Sequence, residues 1–382
     1  MTSFSLRFVR KFAAIAVGAL VMAGCGPKDG IKELAMGKEA FDDHNLAKAV
    51  KLLEKSLTFA PDNVDALVYF ARAKLELGEL AAADEAMTRA NILAAEDLDV
   101  RILSAQLAWH LEDYRRARAL YKAIAEDEKL EMVDRSRGWT GLGIVEMAEN
   151  NPQFARVNFL RAIRLDRRNA AAWYHLALLY RDSFGYLEAA LEQFEIFVRL
   201  EEMASPRVQK VQRNVIPELK EQLATVAANR PGASQRDSAA SAAAISRAEG
   251  AWNKKQYKTA LKFYQEALAA DPLSYPAALG LGKAFQKTDD TKAGQVKAYE
   301  KYKLACALRP SAISTFLATG AMATKLRYYS QAVEIYSRAV AAAPTSIPAL
   351  DGFIAAVKRT GKMNSVAQAY QLYRESLSTK KK

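Results

Sequence analysis

Small and apolar residues recur in this chain at two spacings. At short range they fall three and four apart, the mark of amphipathic helices. At long range the same residue types return every 34 positions, as at Ala49, Ala83 and Ala117, and at Trp139 and Trp173. The stretch 241–272 shows the unit most plainly: Ala244, Arg247, Ala248 and Ala251 stripe a first helix, and Ala260, Tyr264 and Ala267 a second. Lys255 and Gln256 form the polar turn, Tyr257 wedges the corner, and Pro272 ends the unit. A hairpin of this size cannot bury its own apolar face and must stack on copies of itself.

The chain supplies those copies. Gly37, Ala49, Leu53 and Pro61 mark one, and Leu67, Ala71, Gly78, Ala83, Met87 and Ala90 the next. Ala105, Ala108, Tyr114, Ala117 and Tyr121 mark a third. A fourth runs from Trp139 through Gly141, Leu142 and Gly143 to Ala155, Phe159 and Ala162. A fifth begins at Trp173 and carries one extra residue in its turn before Ala190 and Phe194. After 241–272 come units holding Gly282, Ala298 and Tyr302, then Gly320, Ala332 and Tyr336, then Leu350, Phe353, Gly361, Val366 and Tyr370.

The pattern resembles the tetratricopeptide repeat, which runs W-x2-L-G-x2-Y, then A-x3-F, then P, and returns at this same period. Trp139-x2-Leu142-Gly143 and Trp173-x2-Leu176-Ala177-x2-Tyr180 carry the resemblance most closely. It implies an all-α solenoid of antiparallel helix pairs, about nine repeats over residues 30–377 in two blocks. Each signature residue has a packing reason: small residues let the paired helices approach, and proline ends the second helix because it cannot continue it. The implied division is 31–205 for an N-terminal block of about five repeats and 241–377 for a C-terminal block of about four. Between them, 206–240 is a helical cap and linker, which Pro217 should kink or split and which 229–234 ends as a loop. Two semi-independent lobes are the expectation; one superhelix packed through this segment is the alternative.

The N-terminal stretch 1–24 reads differently. Arg7, Arg10 and Lys11 precede an apolar run too short to span a bilayer comfortably, and the run ends in Ala23-Gly24-Cys25. Small residues before a cysteine resemble the lipobox of bacterial lipoproteins. That resemblance implies removal of 1–24, acylation of Cys25, and a short tether over 25–30. Gly26 stands where an aspartate would resemble an inner-membrane retention signal, so the expected location is the outer membrane, facing the periplasm.

Composition changes the picture through charge. The formal net charge is +12, but it is unevenly spread: +3 over residues 1–24, −7 over 25–205 and +16 over 206–382. An acidic block is thus followed by a basic one, which ends in a lysine-rich tail at 378–382. Acidic proteins, anionic lipid or lipopolysaccharide headgroups, or anionic glycans are the partners such a block would attract; the exported location disfavours nucleic acid.

No catalytic or cofactor-binding constellation emerges. His44, His110 and His175 fall in different units without a metal-ligand spacing. Gly141-Leu142-Gly143 and Gly280-Leu281-Gly282 lie in predicted helices, where close packing explains them better than a phosphate loop. Cys306 reads as a buried structural thiol. In this family the first helices line a concave groove, and by register Phe41, Arg72, Trp109, Met147, Tyr174, Arg181 and Trp252 are candidates to face it. Trp109 and Trp252 are the strongest hot-spot candidates because a tryptophan buries a large area at small entropic cost; contact with the next repeat is the plainer role for both. The lysine/asparagine/arginine clamp that some family members use on peptide carboxylates has no match here. The expectation is a non-enzymatic scaffold for protein–protein interaction in the bacterial envelope, serving pilus or secretion-system assembly. The alternative is a role in polysaccharide synthesis or export, or in activating a cell-wall enzyme.

Overall fold

The computed structural model describes residues 30–203, 205–232, 234 and 236–378. The leader, Cys25 and the end of the tail lie outside the described residues. Among the described residues every regular element is a helix, and none is long and apolar enough to cross a membrane. The chain divides after Leu120 into two compact units.

The first unit holds the hairpins α1 (Ile31–Asp42)/α2 (Leu46–Phe59) and α3 (Val64–Glu76)/α4 (Leu80–Ala94), then α5 (Leu98–His110) and the start of α6 (Tyr114–Glu126). Asn45, Asn63 and Asp97 cap α2, α3 and α5 by accepting the backbone N–H three residues on. The core holds the predicted stripe Leu67, Ala71, Ala83, Met87 and Ala90, all buried, joined by Leu103 and Leu107 of α5, which the repeat pattern does not single out.

The turn inside each hairpin is built alike. His44, Gly78 and Glu112, each one repeat after the last, all have φ near +60 to +80°. The next N–H then reaches back to a carbonyl in the last turn of the helix, as from Asn45 to Ala40 O and from Asp113 to Ala108 O. This is the Schellman termination, in which a left-handed residue lets the last helical carbonyls find partners.

The second unit continues with α7 (Met132–Ala148)/α8 (Pro152–Leu165) and α9 (Ala170–Leu179)/α10 (Leu187–Leu200). The extra residue expected in the fifth repeat is absorbed by a π-helical turn, Tyr180–Phe184, which ends in Gly185 at φ 65°. Next come α11 (Pro206–Lys210), a second π turn at Val211–Val215, and α12 (Ile216–Ala228). Pro217 does not split the segment. It falls in the first turn of α12, where no intrahelical donor is required, and the wider turn just before it takes up the register change. Then follow α13 (Ser238–Asn253)/α14 (Tyr257–Ala270), α15 (Tyr275–Thr288)/α16 (Lys292–Leu308), α17 (Ile313–Lys325)/α18 (Tyr329–Ala342) and α19 (Ile347–Thr360)/α20 (Asn364–Ser378). Pro61, Pro272, Pro310 and Pro344 each stand just beyond a second helix, as the pattern predicts.

Glycines in the first helices serve aromatic rings of the second. A Cβ at Gly143, Gly282 or Gly320 would overlap Phe159, Tyr302 or Tyr336 of the same hairpin. A Cβ at Gly141, Gly280 or Gly352 would overlap Tyr121, Tyr264 or Tyr336 of the hairpin before. The Gly-x-Gly pairs are therefore slots for two successive rings, in helix interiors where a phosphate could not reach their N–H groups.

The second unit does not remain an open stack. Helix α20 packs against α8, so the chain runs in a circuit and returns to its fourth repeat. Arg156 of α8 lies fully buried at this closure. Its Nη1 donates to Ser337 O (3.0 Å) and Ser337 Oγ (2.8 Å), its Nη2 to Gln153 Oε1 (2.8 Å), and its Nε to the Tyr370 hydroxyl. The rings of Phe184, Phe353 and Tyr370 lie 4.9–5.2 Å from its guanidinium carbon. Neutral acceptors and aromatic faces thus take the place of a carboxylate. Arg161 donates to Ala369 O and Arg164 to Ser376 O, so two more cations engage the backbone of α20. This closure ties the fourth repeat to the last within the second unit, which also contains 206–240, where the composition changes.

Candidate binding surfaces

In the first unit two of the expected groove residues, Phe41 and Arg72, meet at the ring of Tyr69. Phe41 meets Tyr69 edge-on at 5.8 Å. Lys38 and Arg72 flank the Tyr69 ring, 4.8 and 5.4 Å from its centroid. Each of these cations is tied to the first helix of the following hairpin, Lys38 to Asp65 (2.6 Å) and Arg72 to Asp99 (2.9 Å). They link repeats, which leaves them poorly placed to clamp a carboxylate. Trp109 stacks edge-on against His110 at 4.8 Å, and its indole Nε1 is buried with no hydrogen-bond partner.

In the second unit the candidates are drawn into packing. Tyr174 contacts Phe194 and Phe197 of its own hairpin and lies under Arg207. Arg181 pairs with its neighbour Asp182 and covers the Phe194 ring. Trp252 meets Tyr257 at 5.0 Å and packs on a cluster holding Leu281 and Ala284 of the next repeat. Met147 is half-buried near the end of α7. His175 stacks on Phe159; burial, helped by Arg207, lowers its pKa to about 4.

The structure also contains a site that sequence reasoning missed. A cavity of about 530 Å³ opens between α10, α12 and α16–α18. Tyr186, Val226 and Phe316 supply apolar wall, with Glu188, Glu192, Arg230 and Arg338 among them. A smaller cavity of about 300 Å³ adjoins it and shares Cys306, Phe316 and Arg338. The Cys306 thiol lies 3.2 Å from Thr319 Oγ1. Burial raises its pKa to about 11, so it is a wall residue and a poor nucleophile at neutral pH. These walls come from segments far apart in the chain, and no local pattern announces them; the extra residue before Ala190 was the one trace, because its turn delivers Tyr186.

Neither a family model nor a curated protein matches the sequence. Solved structures do. The pilF structure from Pseudomonas aeruginosa is 20% identical, with a TM-score of 0.41, covering 53% of this chain and 94% of that one. TTC0263, a thermophilic TPR protein of Thermus thermophilus, is 18% identical with a TM-score of 0.40, covering 51% and 97%. MamA is 16% identical with a TM-score of 0.36, covering 49% and 96%. With stacked helix hairpins, turns that recur at a fixed period in the first unit, small residues receiving aromatic rings, and prolines after the second helices, the chain folds as an α-solenoid of tetratricopeptide-type helix hairpins.

Proposed function

We propose that this protein is an interaction scaffold, tethered to the bacterial envelope through an acylated Cys25, that holds extended segments of partner proteins. The observation that carries the reading is the cavity of about 530 Å³. Its size suits a few side chains rather than a folded domain. Its lining mixes aromatic and aliphatic wall with charges of both signs, which suits a peptide better than a uniformly apolar ligand. The groove register of Trp109, near the end of α5, supports a second contact point in the first unit. Binding, not catalysis, is the task assigned to these surfaces. Pilus or secretion-machine components are the partners proposed; components of polysaccharide export or a cell-wall enzyme are the alternative.

The test is crosslinking and pull-down from membranes. Ala307 borders both cavities, and Ala307→Trp should fill them and release the captured proteins. Trp109→Ala with Trp252→Ala should weaken capture at the groove. Partners that survive all three changes in folded protein would sink the reading, and the identity of those lost decides between the pathways. Cys25→Ser should leave the protein soluble or uncleaved; a mature, membrane-bound mutant would remove the acyl tether from the proposal.

A further inference from the structure

The within-hairpin turns of the last four repeats lie along one rim of the second unit. Neighbouring turns touch: Lys325, beside the α17/α18 turn, reaches Asp290 of the α15/α16 turn at 2.9 Å. Arg359, beside the α19/α20 turn, reaches the Tyr329 hydroxyl at the start of α18 at 3.4 Å. This rim is strongly cationic. Lys254 and Lys255 stand in the first turn, Lys287 beside the second, Arg327 in the third, and Lys358 and Lys362 beside the fourth, all exposed. The acids in these turns are Asp289 and Asp290, one of them held by Lys325. The equivalent turns of the first unit carry the opposite sign, with Asp42, Asp43, Glu76, Glu79, Glu112 and Asp113 all exposed. The rim charge therefore belongs to these repeats and is not a general property of the hairpin.

Two features narrow the partner. Among the described residues, no large exposed apolar side chain occurs between Val226 and Leu372. A protein interface needs aromatic or aliphatic anchors at its centre; at this rim Trp252, Tyr257, Tyr328, Tyr329 and Met363 are all half-buried, so charge outweighs exposed apolar surface. Consecutive hairpins also place the turns side by side, about 10 Å per packed layer, so the charges spread along an edge that can face a broad surface. We propose that this rim rests on the anionic headgroups of a lipid bilayer, by charge alone and without insertion. The proposal is independent of the cavity and of the acyl tether, since it concerns a surface that neither uses.

The test uses residues 26–382, which keep every described helix and lack Cys25. The probe is flotation with vesicles of phosphatidylcholine alone, or of phosphatidylcholine with phosphatidylglycerol as the minor component. Partition is expected only onto the anionic vesicles. It should fall at least tenfold between 0.1 and 1 M salt, as the screening length drops from about 10 to about 3 Å. Each cation at an anionic leaflet contributes about fivefold, so Lys254→Glu, Lys255→Glu, Lys358→Glu and Lys362→Glu together should lower partition at least tenfold. The same reversal at Lys48, Lys51, Lys122 and Lys210, exposed but off the rim, should cost less than threefold. Equal losses in the two variants, salt-insensitive binding, or binding to neutral vesicles would overturn the proposal. So would tighter binding of soluble polyglutamate or an acidic glycan than of vesicles at matched charge. Matching circular dichroism and melting curves exclude misfolding as the cause of a loss.

Discussion

Arg156 and Tyr370, far apart in sequence, meet through a hydrogen bond from the guanidinium Nε to the phenol oxygen in a fully buried setting. Arg156→Ala would leave Ser337 and Tyr370 without their donor and open a void between α8 and α20. A loss of about 3–5 kcal/mol is expected, the range for breaking a buried charged network on one side. Arg156→Met with Tyr370→Phe should cost less than the sum of the single changes. Urea titration of the four-protein cycle measures that coupling, and amide exchange over 364–378 should accelerate first in Arg156→Ala. Additive effects would mean that the two side chains are neighbours without energetic linkage.

Tyr336 lies between glycines of two helices. Its ring fills the space a Cβ would need at Gly320, 2.5 Å from Cζ, and at Gly352 of the following repeat. Gly352→Ala forces the ring or the helix to move, and overpacking of this kind costs about 1–3 kcal/mol. Tyr336→Leu in the same background should recover part of the loss, because the smaller side chain vacates the slot. Thermal denaturation of the single and double variants reads the difference.

Glu112 and Arg327 occupy left-handed turn positions at φ 59° and 62°, where Gly78 and Gly361 stand in sister turns. This backbone costs a side chain roughly 1–2 kcal/mol, partly offset by the greater freedom of glycine in the unfolded chain. Glu112→Gly and Arg327→Gly should each raise stability by a few tenths to about 1 kcal/mol. Calorimetry checks this; a lower melting temperature would show that the native side chains make contacts worth more than the strain.

His175 makes the fold acid-sensitive. Burial holds its folded pKa at about 4, below the ordinary value of 6.5. Between those values the unfolded chain binds a proton that the folded chain refuses, so stability falls as pH drops from about 6.5 to about 4. The slope approaches about 1.4 kcal/mol per pH unit. His175→Phe should flatten this part of the profile in denaturant titrations from pH 7 to 4. An unchanged slope would place the acid sensitivity elsewhere.

Local rules carried the helices, the turn residues, the closing prolines and the small-residue slots, because each depends on neighbours within one repeat or the next. Two residues show what such rules miss. Pro217 suggests a kink, but a π turn just before it absorbs the register change. Trp252 has the register of a groove residue, yet its large ring also reaches sideways to Tyr257 and the next repeat, the plainer of its two expected roles. The closure was beyond local reading. Arg156 follows Ala155 in an ordinary second helix, and nothing nearby says that its partners are Ser337 and Tyr370. The cavity shares this origin, since its walls come together only when distant repeats do.

An open solenoid ends in a hairpin with one apolar face uncovered, and such ends require a polar cap or invite another copy to stack. Here the last hairpin keeps Val366, Ala367, Tyr370 and Tyr373 buried in α20 while α8 packs against that helix. The molecule therefore acts as its own terminator at this end. Growth into filaments by head-to-tail stacking on the last repeat is blocked by an earlier part of the same chain.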